Sequence, residues 1–178
     1  VNFDSLATDD DGSCILSWPE LANLFFSEYA EGSSNNKYIE IYNAGGESVD
    51  LSGYSLSSCS NGCNDGVSWD YADNVLFANG TMLDPGSVYI VAHPSADDFI
   101  LSLADQTFTY LSNGDDVFAL TQIGSGDIVD IIGAIGDDPG SGWEVAGVYN
   151  ATKDHTLIRK CGVLSGNSDW VSSAGTNA

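Results

Sequence analysis

Positive charge is what this sequence has least of. Four basic residues stand against 26 acidic ones, for a formal net charge of -22. A surface of that sign repels phosphate backbones, so direct nucleic-acid binding is not expected. Anionic lipid is repelled for the same reason. Long apolar runs are also missing: residues 127–135, among the longest, are broken by Asp and Gly. None approaches the roughly 18 residues that carry a helix across a membrane. Histidine is limited to His93 and His155, and neither has a ligand-like spacing to a cysteine, which weighs against zinc. There is no Gly-x-Ser-x-Gly, no His-Glu-x-x-His and no phosphate loop, and two histidines among scattered serines make no triad. The expectation is a protein without catalytic activity. The sequence also has no initiator Met, no basic leader and no signal-type apolar stretch. Val1 therefore reads as a boundary inside a longer protein.

What is present fits a secreted globular domain. The chain has 178 residues, 43% of them hydrophobic, enough for one domain with a real core. Of the acids, 20 are Asp and six are Glu. Two readings of that surplus stand side by side: a solvated surface suited to salty water, or carboxylates that converge on a hard cation such as calcium. The four cysteines are Cys14, Cys59, Cys63 and Cys161, an even number in an extracellular-looking composition, so two disulfides are expected. Cys59 and Cys63 flank the turn-forming Ser60-Asn61-Gly62, and a staple across that turn is the simplest pairing. Such a short closure contributes about 2 kcal/mol in the chain-entropy picture. Cys14 and Cys161 then pair by elimination, a long closure contributing about 5 kcal/mol on the same picture.

From Leu24 on, β-rich segments alternate with Gly, Asn, Ser and Asp clusters. Strands are predicted over 24–29, 37–43, 54–59, 75–78, 88–93, 107–111, 117–122, 127–135, 142–149 and 156–161. In 37–43 the alternation is clear: Ile39 and Ile41 share one face, Tyr38, Glu40 and Tyr42 the other. One short helix is predicted after Ser95, which serves as its N-cap with acids in the first turn. Asn113-Gly114 between two strand-like runs predicts a type I′ hairpin. The architecture expected is all-β, a sandwich or barrel with one short helix. Residues 1–20 lack a strand period and read as a separate acidic segment and linker; the domain proper is 21–178.

The combination Phe25-Phe26-Ser27-Glu28-Tyr29, Lys37-Tyr38-Ile39-Glu40-Ile41-Tyr42-Asn43 and Val49-Asp50-Leu51-Ser52-Gly53-Tyr54 resembles the lamin tail domain family. Leu83-Asp84-Pro85-Gly86-Ser87-Val88-Tyr89 and Leu111-Ser112-Asn113-Gly114-Asp115-Asp116 continue the likeness, and His155-Thr156-Leu157-Ile158-Arg159-Lys160 is similar to its bacterial secreted branch. The resemblance implies an immunoglobulin-like β-sandwich, found at cell surfaces and beside secreted nucleases and phosphatases, with no catalytic motif to carry over. Residues 2–14, ending Asp10-Asp11-Gly12-Ser13-Cys14, resemble a short acidic repeat related to thrombospondin type 3-like calcium repeats. That likeness implies a different partner for Cys14, upstream of Val1.

Asp4, Asp9, Asp10 and Asp11 with Gly12 can wrap calcium, although the spacing is not a full EF-hand loop. Glu28 and Glu40, on neighbouring strands, can form a carboxylate pair, but nothing nearby supplies a nucleophile; hydrogen bonds to turns or to Arg159 and Lys160 are the simpler use. Asp115-Asp116 and Asp137-Asp138 read as turn residues, and Asp127 and Asp130 point to opposite faces of one strand. Among the aromatics, Trp69 and Tyr71 lead as an exposed platform for a sugar ring, against the simpler use of Trp as core filling. The function expected is a non-catalytic extracellular or cell-surface module of a larger protein, for adhesion or binding, stabilised by calcium. Its expected partners are a glycan or cell-surface protein and the other domains of its parent. A structural spacer and an accessory domain to a secreted nuclease or phosphatase are the alternatives.

Overall fold

The structure, a computed structural model, describes residues 23–136 and 138–176. Eleven strands are defined among them: β1 (Leu24–Glu31), β2 (Lys37–Asn43), β3 (Val49–Asp50), β4 (Tyr54–Cys59), β5 (Tyr71–Leu76), β6 (Met82–Leu83), β7 (Val88–Ala92), β8 (Gln106–Thr107), β9 (Val117–Gln122), β10 (Ile128–Ile132) and β11 (His155–Ile158). Two α-helical turns, α1 (Asp98–Leu101) and α2 (Trp170–Ala174), and a 3-10 turn over Leu51–Gly53 complete the set. The strands form a five-stranded sheet in the order β11-β1-β2-β7-β8 and a four-stranded sheet in the order β10-β9-β4-β5, with β3 and β6 as a small pair. Packed face to face, the two sheets make the expected all-β, immunoglobulin-like sandwich.

The core follows from side-chain alternation. Ile39 and Ile41 point inward from β2 and are 1% and 0% exposed. They meet Leu56, Phe118 and Leu120 of the other sheet, with Leu24, Phe26, Tyr29 and Val91 completing the layer. Strands β9 and β10 are buried along nearly their whole length, which requires cover on both faces. The second cover is a smaller cluster of Cys59, Cys63, Val117, Ala119 and Ile131, capped by Trp69 and Trp143. Beside it the outer face of the same sheet carries a hydroxyl ladder, with Ser55 and Ser57 bonded to Thr121 at 2.8 and 2.9 Å. Asn43, fully buried at the end of β2, ties the short β3–β6 pair down: its amide donates to the carbonyls of Glu47 and Leu83, both at 2.9 Å.

Several sequence expectations need correction. Residues 142–149 do not form a strand; only an isolated bridge joins Val145 to Val148. Ala146 and Gly147 between them have φ of 54° and 82°, so the chain reverses on itself. The predicted 107–111 strand shrinks to β8, which pairs in parallel with β7. The Asn113-Gly114 hairpin is therefore absent, because β9 pairs with β4 and β10. Gly114 serves another purpose: a Cβ there would lie 2.7 Å from the Lys153 Cβ and 2.8 Å from the Ser141 carbonyl, so glycine lets the 141–153 segment close onto this turn. The predicted helix is present as α1, but Asp97, not Ser95, is its N-cap. The Asp97 carboxylate accepts from the Asn36 amide at 2.7 Å, and the Asp97 N–H donates back at 2.8 Å. Two further helical turns, 51–53 and 170–174, went unpredicted.

Candidate functional site

The predicted calcium ligands Asp4, Asp9, Asp10 and Asp11, together with Cys14 and Asp137, lie outside the described residues. Of the cysteines, Cys59 and Cys63 form the expected disulfide, with their Cα atoms 4.9 Å apart. Cys161 is exposed and forms no disulfide among the described residues. Around the staple, carboxylates cap the backbone. Asp70 accepts from the N–H groups of Ser60 and Asn64, both at 3.0 Å, and Asp116 accepts from Asn61 at 3.0 Å. Burial raises the Asp116 pKa, and its backbone donors pull it back. Trp69 is half-buried against the disulfide cluster, whereas Tyr71 is 52% exposed on β5. Of the predicted sugar platform, the structure leaves Tyr71 as the open ring.

Glu28 and Glu40 face each other directly across β1 and β2, on the outer face of the five-stranded sheet. Among the described residues, their hydrogen bonds go neither to turns nor to Arg159 and Lys160. The Tyr38 hydroxyl donates to Glu28 at 2.7 Å, and the Ser27 hydroxyl donates to Glu40 at 2.7 Å. Each carboxylate is thus held by a hydroxyl from its own sheet. Burial raises the Glu40 pKa first; the Ser27 bond lowers it and the Glu28 charge raises it again. Burial likewise raises the Tyr38 hydroxyl, which the Glu28 contact reinforces. The histidine rings serve their own turns: His93 accepts from the Ser95 N–H at 3.0 Å, and His155 bonds the Lys153 carbonyl. Among the described residues no group of three His, Cys, Asp or Glu side chains is placed to hold a metal ion.

A concave feature lies on one flank of the sandwich, where β11 ends one sheet and β10 ends the other. A cleft of about 450 Å3 opens there, floored by Phe26, Tyr29, Ile132 and Leu157 and walled by Val145 and Trp170. Its polar rim includes Lys160, Ser165 and Asn167. Asp130 braces it from behind. This residue points inward from β10 and is fully buried. Its carboxylate takes the Arg159 guanidinium at 2.6 Å, the Phe26 N–H at 2.8 Å and the Asn167 N–H at 2.9 Å. Burial pushes its pKa up against the opposing pull of Arg159 and those donors. One carboxylate thus joins β10, β1, the end of β11 and the 163–167 segment. Gly166 makes the last contact possible, since a Cβ there would sit 2.2 Å from the Val129 carbonyl. Arg159 also donates to Ser173 of α2 at 2.5 Å and lies 5.9 Å over the Phe25 ring.

Sequence reasoning found none of this brace. Its available signal was a charged residue on the inward phase of an otherwise apolar strand, Ile128-Val129-Asp130-Ile131-Ile132, which demands a partner. A second hollow, of about 500 Å3, sits beside the disulfide and is lined by Ser60, Asn64, Asp65 and Asp138. Asp65 is already engaged there, accepting from Val67 and Ser68 N–H groups at 2.8 Å each.

Comparison with known proteins gives one family: the model described as Lamin Tail Domain matches residues 19–136. No curated protein matches the chain at a significant level. The family match ends before β11 and α2, which supply much of the cleft.

Proposed function

The chain belongs to the lamin tail domain family, and from that premise we propose that it is a non-catalytic extracellular binding or adhesion module whose ligand enters the flank cleft. The family is an immunoglobulin-like domain without enzymatic activity. The observation that carries the proposal is the cleft itself, an apolar floor under a few convergent polar groups on a rigid frame, which is the usual form of a binding site. The Cys59–Cys63 staple is compatible with an oxidising, extracellular setting. Calcium at Asp4, Asp9, Asp10 and Asp11 is part of this reading as a stabiliser. At about a hundred times its dissociation constant it would add about 2.7 kcal/mol, a rise of about 5–11 °C in the melting midpoint over EDTA.

The test is a binding screen of the domain against glycans and extended peptides at millimolar concentration, run beside Ser165→Trp. Ser165 is an exposed residue of the cleft rim, so a bulky ring there should occlude the cleft without touching the core. A ligand whose binding is lost in Ser165→Trp supports the module. No ligand of any class, or ligands indifferent to the substitution, would leave the chain a spacer.

A further inference from the structure

We propose that the edge of β11, open among the described residues, docks an extended peptide with acidic ends, which adds to the five-stranded sheet as a sixth strand and drops its inward side chains into the flank cleft. This rests on the reading of the chain as a binding module and names the class of ligand.

Topology supplies the first observation. β11 ends its sheet, and β1 is its only strand neighbour among the described residues. The Arg159 N–H donates to the Ser27 carbonyl at 2.8 Å, and the register continues through Ile158 opposite Glu28 to His155 opposite Glu31. In an antiparallel ladder the bonded residues alternate, so His155 and Leu157 turn their backbone toward β1. Thr156 and Ile158 then turn their N–H and C=O groups outward, a template for another strand.

The second observation is the cleft beside that edge. Leu157 and Ile158 of β11 line it, together with Val145, Val163 and Trp170. An added strand alternates its side chains across the sheet, so every second one would meet this apolar mouth. Ile158 is 69% exposed, and Val171 on α2 is 71% exposed.

Charge selects the chemistry. All four basic residues of the chain are Lys37, Lys153, Arg159 and Lys160. Lys37 is taken by Glu31 at 3.1 Å and Arg159 by Asp130 at 2.6 Å. Lys153 and Lys160 are exposed and make no ion pair among the described residues. They bracket β11, two residues before it and two after it. Edges guarded against pairing carry their charge within the strand; here the charges flank it, and one of the two outward residues is Ile158. A second copy of the chain is disfavoured as occupant because each copy carries a net charge of -22. A short peptide meets mainly the charges within a Debye length, about 8 Å at physiological salt.

The test uses fluorescence polarisation with a labelled ten-residue peptide of alternating Val and Thr, ended by Glu-Asp at both sides. Controls carry Lys-Lys ends or a central Pro. The acid-ended peptide should bind, with the Lys-ended and Pro-containing peptides weaker by about tenfold or more, a difference of about 1.4 kcal/mol. Lys153→Glu combined with Lys160→Glu should reverse the preference. Thr156→Pro removes only an outward N–H, which an edge strand tolerates, so it should abolish binding while the melting midpoint confirms folding. No binding of the acid-ended peptide, or binding indifferent to Thr156→Pro, overturns the proposal. Self-association that Thr156→Pro dissolves, seen by sedimentation, overturns it in favour of a second copy. If another ligand loses binding in Ser165→Trp while the peptides stay inert, the strand site falls and the binding module stands; if nothing binds, both fall.

Discussion

The two sheets of this sandwich differ in how they are covered. In the four-stranded sheet, β4, β9 and β10 are enclosed on both faces, by the main core inside and by the disulfide cluster with Trp69 and Trp143 outside, and only the edge strand β5 is largely exposed. The five-stranded sheet shares the core, but its outer face presents Tyr38, Glu40, Tyr42 and Ile90, all half-buried. The enclosed strands borrow their outer cover from irregular chain: the stapled turn at 59–63 and the 138–154 segment, whose Trp143 indole donates to the Asp116 carbonyl at 3.2 Å. Structure without regular elements can thus close a sheet face when a covalent staple and backbone-capping carboxylates hold it. The open sheet keeps its outer polar groups satisfied locally, hydroxyl to carboxylate.

The largest effect should fall where the sheets share a charge. Arg159→Ala leaves Asp130 fully buried without its cation, and removing one partner of a buried pair typically costs about 3–5 kcal/mol. Urea unfolding should show that loss. The double change Asp130→Leu with Arg159→Met should recover most of it, because an apolar replacement removes the orphaned charge as well. A single-variant loss below about 1 kcal/mol would mean the brace is solvated like a surface pair.

Equivalent outward positions then test the cover itself. Ile131 on β10 is 3% exposed beneath the outer cluster, so Ile131→Ala should cost about 2–5 kcal/mol. Ile90→Ala, on the open face of β7, should cost about 1 kcal/mol. Equal losses would erase the distinction between the sheets. Opening the staple lies between: Cys59→Ser with Cys63→Ser should cost about 2 kcal/mol for so short a closure. Trp69 fluorescence should shift red as its packing loosens.

The same contrast explains what could be read from the sequence. Lys37-Tyr38-Ile39-Glu40-Ile41-Tyr42-Asn43 alternates because one of its faces is wet, and its predicted bounds match β2. Strands β4 and β9 were also placed at their true ends. The turn-flanking Cys59 and Cys63 announced their staple locally. The outer cover was not legible, because 142–149 has the composition of a strand, and only its packing against Gly133 and Thr152 makes it a cap. Asp130 and Arg159 are 29 residues apart and belong to different sheets, so no local pattern joins them. Two-residue strands such as β3, β6 and β8 are set by their neighbours rather than by propensity.

The smallest expected effect separates two carboxylates of unequal cover. Asp65, in the turn beside the staple, accepts from the Ser68 hydroxyl and from the Ser68 and Val67 N–H groups. These bonds favour its ionised form and hold its pKa down to about 2. A depressed folded pKa means stability that is present above the unfolded value, about 3.9, and is lost as pH falls through about 2. Glu40 on the open sheet is shifted the other way by burial. Its contribution is present below its unfolded pKa and is lost as pH rises through the higher folded one. Carboxyl chemical shifts followed by NMR should therefore place the Asp65 midpoint well below that of Glu40. Ser68→Ala should move Asp65 up toward the ordinary range and leave Glu40 unchanged, whereas Ser27→Ala should raise Glu40 further. If Asp65 titrates normally, its turn bonds do not persist in solution, and the picture of carboxylates holding the irregular cover loses its local support.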